Sequence, residues 1–263
     1  MKTYLENGVA IARDAGKIIR SYFDTEVSTR MKDDNTPVTA ADEEINAMVI
    51  ERLGKLYPDM AIIGEEGGNG KKSSHVWVCD PLDGTFPFTY RLPLSVFSLA
   101  LVEEGRPIVG IIYDPFTDRL YTAEKGMGAR VNGALAKVSS KKLGPDASIM
   151  MEWWGRCTYD VDTAMHVLSA DTGTYVLHLG STVQSGCMVI RGVSEANVFP
   201  GTKGKFVDAA AMKIIVEEAG GRVTDLTGSD QRYDTDINGI VLSNGIVHDE
   251  VLAYIKKYSL TRI

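Results

Sequence analysis

The sequence predicts a layered fold mixing helices and sheet, of α/β or α+β class, arranged in two lobes. Two amphipathic stretches of helical period open the chain, and a series of short apolar runs separated by turn residues follows them. A second alternation of helix and strand patterns begins beyond the polar stretch 137–145. At 263 residues the chain can form one large unit or two closely packed lobes.

Over 4–23, Leu5, Val9, Ala12, Ile18, Ile19, Tyr22 and Phe23 recur close to a 3.6-residue period, which reads as an amphipathic helix. A polar, proline-containing loop covers 31–37. Thr39 and Asp42 have capping-box spacing, so the next helix starts there and runs through Ile45, Met48, Val49 and Leu53 to about Leu56. Tyr57-Pro58-Asp59 stops it. Strands are expected near 61–63, 76–79, 95–102, 108–113, 119–123 and 129–131. In the second half we expect strands at 149–151, 175–179 and 239–242, with helices near 161–168, from Ser181, and from Asp208 to Ala219, where Gly220-Gly221 ends the last.

Composition removes several function classes. The formal charge is −7 and no Lys/Arg-rich block occurs, so the electrostatic footprint for a nucleic acid polymer is missing. No segment reaches the roughly 18 apolar residues of a membrane span, and the first residues lack the apolar core of a signal peptide. A cytoplasmic location is therefore expected. Cys79, Cys157 and Cys187 are odd in number and widely spaced, which suits buried reduced thiols better than disulfides or a zinc site.

Carboxylates mark three places where a strand ends or a helix begins: Gly-Glu-Glu at 64–66, Asp-Pro-Leu-Asp-Gly-Thr at 80–85, and Asp208 before Ala-Ala-Ala. Asp80 follows the apolar run 76–79, and α/β folds place ligands at the C-terminal ends of strands. Pro81 turns the chain so that Asp80 and Asp83 can converge. Gly84 and Thr85 then offer backbone N–H groups to an anion, with no side chain at Gly84 in the way. Two carboxylates about 5 Å apart repel by roughly 3 kcal/mol at an effective dielectric of 20, so a cation is needed. Oxygen donors, and four histidines with no metal-pair spacing, favour Mg²⁺ over zinc. Each element alone has a plainer explanation: a solvated turn at 65–68, an N-cap at Asp208, a capping box at Asp42, a type I turn at 80–85. Their joint occurrence in this order is what capping and turn chemistry do not supply.

Other signatures fail. Residues 234–239 begin like an EF-hand loop, but the twelfth position is Gly245 where a bidentate Glu is required. Residues 70–73 lack the order of a P-loop, and 180–184 is not a nucleophile elbow. A haloacid-dehalogenase-type site needs its nucleophilic Asp two residues before Asp83, where this chain has Pro81.

Taken together, the motifs at 64–66, 80–85 and 208–210, with Glu218-Ala-Gly-Gly downstream, resemble those of the inositol monophosphatase superfamily. That superfamily includes fructose-1,6-bisphosphatases and 3′(2′),5′-bisphosphate nucleotidases. Pro-Val-Thr-Ala-Ala-Asp at 37–42, Val-Gly-Ile-Ile-Tyr-Asp-Pro at 109–115 and Gly-Ala-Arg-Val-Asn-Gly at 128–133 extend the likeness over nearly the whole chain. The resemblance implies a layered αβαβα sandwich, two to three Mg²⁺ ions and a cytoplasmic homodimer. Residues 1–136 would carry the first two metal motifs and 137–263 the third, in one continuous unit. Carried over by motif, Glu65, Asp80 and the Leu82 carbonyl would hold one metal, and Asp80, Asp83 and Asp208 a second. A weaker third would sit at Glu65. Thr85 with Glu65 would orient water, Asp42 would support them, and Gly84 and Thr85 would take the phosphate. Asp83, Asp208, Gly180, Ser181, Thr182, Lys203 and Lys205 would face substrate, and Lys32 would lie on a closing loop.

The departures are local. Phe86-Pro87-Phe88 replaces the usual Thr-Asn-Phe, Phe206-Val207 replaces the Trp frequent before the third Asp, and Gly201 stands where inositol-preferring members often carry Glu. The function expected is hydrolysis of a small sugar or polyol phosphate such as inositol monophosphate by metal-activated water, sensitive to Li⁺. The alternatives are a fructose-1,6-bisphosphatase, a 3′(2′),5′-bisphosphate nucleotidase, or a metal-dependent sugar-phosphate binding protein without turnover.

Overall fold

Thr3 and Glu6 close a capping box, each accepting from the other's backbone N–H, at 3.2 and 2.8 Å respectively, and so begin the first helix. The computed structural model describes residues 3–25, 29–31, 37–152, 157, 159–201 and 205–261. In chain order its first half holds α1 (Tyr4–Phe23), β1 (Thr29–Met31), β2 (Pro37–Thr39), α2 (Ala40–Leu56), β3 (Ala61–Gly64), β4 (Gly67–Gly68), β5 (His75–Asp83), α3 (Thr85–Thr89), β6 (Val96–Glu103), β7 (Arg106–Asp114), β8 (Arg119–Glu124), β9 (Ala129–Val131) and β10 (Ala134–Leu135). The second half holds β11 (Ser148–Met151), β12 (Tyr159–Asp160), α4 (Asp162–Thr172), β13 (Tyr175–Leu177), α5 (Thr182–Ile190), β14 (Ala196–Phe199), α6 (Phe206–Glu218), β15 (Arg222–Thr224), β16 (Ile240–Ser243), α7 (His248–Tyr258) and β17 (Leu260–Thr261).

Eight strands form one sheet in the order β10-β9-β8-β7-β6-β5-β3-β4, and five form a second in the order β13-β11-β14-β16-β15. Alternation along β5 shows how the layers are made. Trp77 and Cys79 face α1 and α2 and pack with Ile11, Ile19, Ile45 and Val49. Val76 and Val78 face the other way, onto α5 and α6, and the same apolar cluster continues to Phe199, Ile240 and Leu242 of the second sheet. On that sheet's far side Ile149, Val198 and Val241 pack on α4 and α7. The order is helix, sheet, helix, sheet, helix. Helix α6 is apolar nearly all round because it lies between two sheets. Its close approach to β7 requires Gly110, where a Cβ would meet Ile214 Cγ2 at 2.6 Å and the Ala211 carbonyl oxygen at 2.9 Å.

The structure corrects several expected boundaries. β5 does not end at residue 79 but continues to Asp83, with its register against β6 shifting between Asp80 and Asp83. α6 begins at Phe206, so Asp208 lies inside its first turn and Lys205 is the N-cap residue. Strands β14 and β15 and helices α3 and α7 were not expected. Among the described residues no helix is long and apolar enough to cross a membrane. All three cysteines are buried, and none forms a disulfide among the described residues.

His248, fully buried at the start of α7, lies between the Ser243 and Thr224 hydroxyls at 2.8 and 2.9 Å. Burial, reinforced by Arg222, pushes its pKa from 6.5 down to about 4. The folded form therefore resists protonation that the unfolded chain accepts, and the associated stability is present above pH 6.5 and lost as pH falls toward 4. We expect wild type to lose up to about 3 kcal/mol relative to His248→Gln between pH 7 and pH 4, measured by denaturant melts at each pH. Parallel pH profiles for the two proteins would contradict this.

Candidate active site

Strand alternation and the register shift bring the acidic motifs together. Asp80 continues the parity of Val76 and Val78 toward α6, and the irregularity after it lets Asp83 turn to the same side. Asp208 reaches the place from the first turn of α6. One oxygen from each of Asp80, Asp83 and Asp208 lies within 4.8 Å of the others, and the three residues are 1, 5 and 0% exposed.

Their hydrogen bonds differ in kind. Asp80 Oδ1 accepts from the Leu82 N–H at 3.0 Å. Asp83 caps α5: Oδ1 accepts from Thr182 N at 3.1 Å, and Oδ2 from Val183 N at 3.0 Å and from the Ser181 hydroxyl. Neither oxygen of Asp208 accepts a hydrogen bond of ordinary geometry among the described residues. Lys205 Nζ stands 3.2 Å from Asp208 Oδ2 and 3.7 Å from Glu65 Oε1. Glu65 lies just past β3, its N–H donating to the Cys79 carbonyl at 3.0 Å, which holds it beside the end of β5.

Crowded, buried negative charge sets the electrostatics. Burial first, then Glu65, Asp208 and Asp83, holds the Asp80 carboxyl well above the usual carboxylate range. Burial and Asp208 raise Asp83 to about 7 against the lowering effect of Ser181, Lys205 and Val183. Asp208 is raised by burial and Glu65, with Lys205 opposing. Burial alone would lower Lys205, but Asp208, Glu65, Asp80 and Asp83 outweigh it and hold its pKa well above normal. These residues fit a hard divalent cation. The donors are all oxygen, the carboxylates outnumber the one described ammonium, and the Asp208 oxygens lack ordinary hydrogen bonds among the described residues.

Asp42 forms the capping box that its spacing predicts and also reaches Thr85. Its Oδ2 accepts from Thr39 N at 2.9 Å, the capping-box bond, while Oδ1 lies 3.2 Å from Thr85 Oγ1. Thr85 Oγ1 is also 3.1 Å from the Leu82 carbonyl oxygen. Burial, opposed by the Thr39 bonds and helped by Glu65 and Glu66, raises Asp42 to about 7. Gly84 adopts φ +82°, and a Cβ there would lie 2.8 Å from Ser181 Cβ. Its missing side chain is thus required by the approach of Ser181 at the start of α5.

Several residues expected to face substrate make contacts of their own within the protein. Ser181 and Thr182 are 1 and 6% exposed and hold Asp83. Gly180, at φ +76°, packs toward Pro87, whose Cγ a Cβ would meet at 3.0 Å. Lys205 points into the carboxylates, where a second substrate phosphate was expected to meet it. Gly201 has no room for the Glu of inositol-preferring relatives: a Cβ would fall 2.1 Å from Gly239 N. Lys32 and Lys203 lie outside the described residues.

Glu152 was missed by the sequence reading. This buried carboxylate accepts from Leu179 N at 2.8 Å, Gly180 N at 3.0 Å and Ser185 Oγ at 2.6 Å, and so anchors the turn that delivers Ser181 to Asp83. The available signal was a lone acidic residue continuing the apolar strand 149–151. Glu218 is likewise structural, tying α6 to the β8–β9 turn through Gly126 N and Gly128 N, both at 2.7 Å.

The chain has recognisable relatives in sequence and in fold. Curated relatives include the Nus factor SuhB of Pasteurella multocida, 34% identical over 235 residues and 87% of each chain. The fructose-1,6-bisphosphatase/inositol-1-monophosphatase of Aquifex aeolicus is 29% identical over 98% of this chain and 97% of its own. Among solved structures, the Thermotoga maritima IMPase superposes with a TM-score of 0.86 at 28% identity, covering 96% of both chains. The SuhB protein of Bartonella henselae gives 0.85 at 26% identity, covering 96% of this chain and 98% of its own. The profile of the Inositol monophosphatase family matches residues 1–260, and the chain belongs to that family.

Proposed function

We propose that this chain is a Mg²⁺-dependent phosphomonoesterase that hydrolyses a small sugar or polyol phosphate such as inositol monophosphate. The observation that carries the reading is the buried Asp80, Asp83, Asp208 cluster beside the Thr85–Asp42 pair. Glu65, Asp80, Asp83, Asp208 and the Leu82 carbonyl would hold the metal. When bound, Mg²⁺ lowers the pKa of coordinated water and neutralises charge on the phosphoryl group.

The chain's own groups supply the rest. Thr85 Oγ1 has one proton and two acceptors in reach, Asp42 Oδ1 and the Leu82 carbonyl oxygen. With its proton on either, a lone pair remains to accept from the attacking water. Asp42, raised to about 7, can take up a proton near neutral pH. The Gly84 and Thr85 N–H groups would receive phosphate oxygens. Glu152, Ser181 and Thr182 hold Asp83 in place, and we assign them to positioning. The reading also expects inhibition by millimolar Li⁺ and a cytoplasmic homodimer.

The test is orthophosphate release with Mg²⁺ from inositol 1-phosphate, fructose 1,6-bisphosphate and adenosine 3′,5′-bisphosphate. With no carboxylate at 201 to grip ring hydroxyls, we expect kcat/KM for the three esters to lie within about 100-fold, roughly 2.7 kcal/mol. Thr85→Ala should lower kcat by about 10²-fold or more with little change in melting temperature. Tight phosphate-ester binding without orthophosphate release would favour the binding-protein alternative.

A further inference from the structure

We infer that Lys205 is a built-in competitor of the metal, an ammonium that neutralises the carboxylate cluster when no divalent ion is present and must yield when one binds. The inference rests on the reading of the cluster as a metal site.

Three observations support it. Lys205 Nζ lies 3.2 Å from Asp208 Oδ2 and 3.7 Å from Glu65 Oε1, so it bridges a carboxylate of α6 and one that follows β3. Its side chain is only 22% exposed, unlike an ordinary solvated lysine. It also sits at the N-cap of α6, where the helix dipole disfavours a cation and where Ser, Thr, Asp or Asn would satisfy the first N–H groups. The helix therefore gives no reason for a lysine at 205; the carboxylates do.

The consequence follows from charge. Asp80, Asp83 and Asp208 crowd within 4.8 Å, and one tethered positive charge partly offsets their repulsion in the folded chain. A divalent ion entering the same oxygens meets that ammonium at short range. Either the lysine withdraws, giving up its ion pairs, or it stays and repels the ion. Both outcomes weaken metal binding relative to the same cluster without the lysine, and both make the metal-free fold less dependent on metal.

The experiment is calorimetric titration of Mg²⁺ into full-length protein stripped with chelator, alongside thermal melts with and without Mg²⁺. Lys205→Met removes the charge while keeping an unbranched chain, and Lys205→Arg retains it. We expect Lys205→Met to bind Mg²⁺ at least about tenfold more tightly, to melt lower than wild type without metal, and to lose that deficit at saturating Mg²⁺. Lys205→Arg should remain within about threefold of wild type in affinity. If wild type binds Mg²⁺ and Lys205→Met binds it no more tightly, the competitor role is overturned while the metal site stands. If neither protein binds Mg²⁺, the site reading itself fails and the inference with it. Should Lys205→Met be unfolded without metal, Lys205→Gln measured the same way decides between the outcomes.

Discussion

Replacing Asp208 with Asn is expected to lower turnover by at least about 10³-fold, near 4 kcal/mol of transition-state stabilisation, while making the metal-free protein more stable. Both effects come from one side chain. Asp208 supplies a buried negative charge to the cluster, yet neither of its oxygens accepts a hydrogen bond of ordinary geometry among the described residues. An amide of nearly the same volume gives up the ion pair with Lys205 at 3.2 Å but also relieves the repulsion from Glu65, Asp80 and Asp83, and Lys205 keeps Glu65 at 3.7 Å. Burial and Glu65 raise the Asp208 carboxyl, so the folded state binds its proton more strongly than the unfolded chain does. That contribution is present at acidic pH and lost as pH rises through the folded pKa, whereas Asn has nothing to lose. The stability advantage of Asp208→Asn should accordingly be seen at pH 8 and vanish at acidic pH. Melts of both chelated proteins across pH, with orthophosphate assays in Mg²⁺, check the two halves separately. A variant that is active, or less stable without metal at pH 8, would be incompatible with this account. Asp83→Asn is the less clean experiment, because both Asp83 oxygens accept N–H groups of α5 and an amide nitrogen would face a donor.

Chelation should reduce turnover to background, and restoring Mg²⁺ should return it together with stability. At a hundredfold excess over its Kd, a ligand of the folded state adds about 2.7 kcal/mol, which for a chain of this size raises the melting temperature by roughly 5–10 °C. The gain should shrink from pH 8 to pH 6, since Asp83 titrates at about 7 and protons then compete for the same oxygens. Turnover that survives exhaustive chelation would exclude the proposed chemistry, and an unshifted melt in saturating Mg²⁺ would exclude the cluster as its holder.

What the sequence made legible follows the reach of local rules. The periodicity of α1 and α2, the capping box at Thr39 and the carboxylate motifs are written in short windows, and the elements follow them closely. Helix α7 was equally readable, with Asp249 and Glu250 in its first turn, Lys256 and Lys257 in its last, and Val251 and Ile255 buried at i, i+4 spacing. Less legible are the side chains whose direction is set across the fold. Ser181 was expected to face substrate, and that its hydroxyl also donates to Asp83 depends on where β5 arrives. Lys205 carries a long flexible stem, so its position three residues before Asp208 could not reveal whether it turns inward. Gly201 looked like a missing carboxylate, but the constraint is the backbone of residues 237–239 against it.

The cluster draws Asp80 and Asp83, with Glu65 beside them across Lys205, from one side of the irregular stretch 137–147 and Asp208 from the other. If the chain were nicked in that stretch, each fragment would carry an incomplete set of donors, and hydrolysis would require the two to reassociate. The apolar seam shared by β5, α5 and α6 supplies the affinity for such pairing, and Asp83 at the tip of α5 fixes its alignment. Catalysis would then serve as a readout of fragment complementation, with turnover counting reassembled molecules.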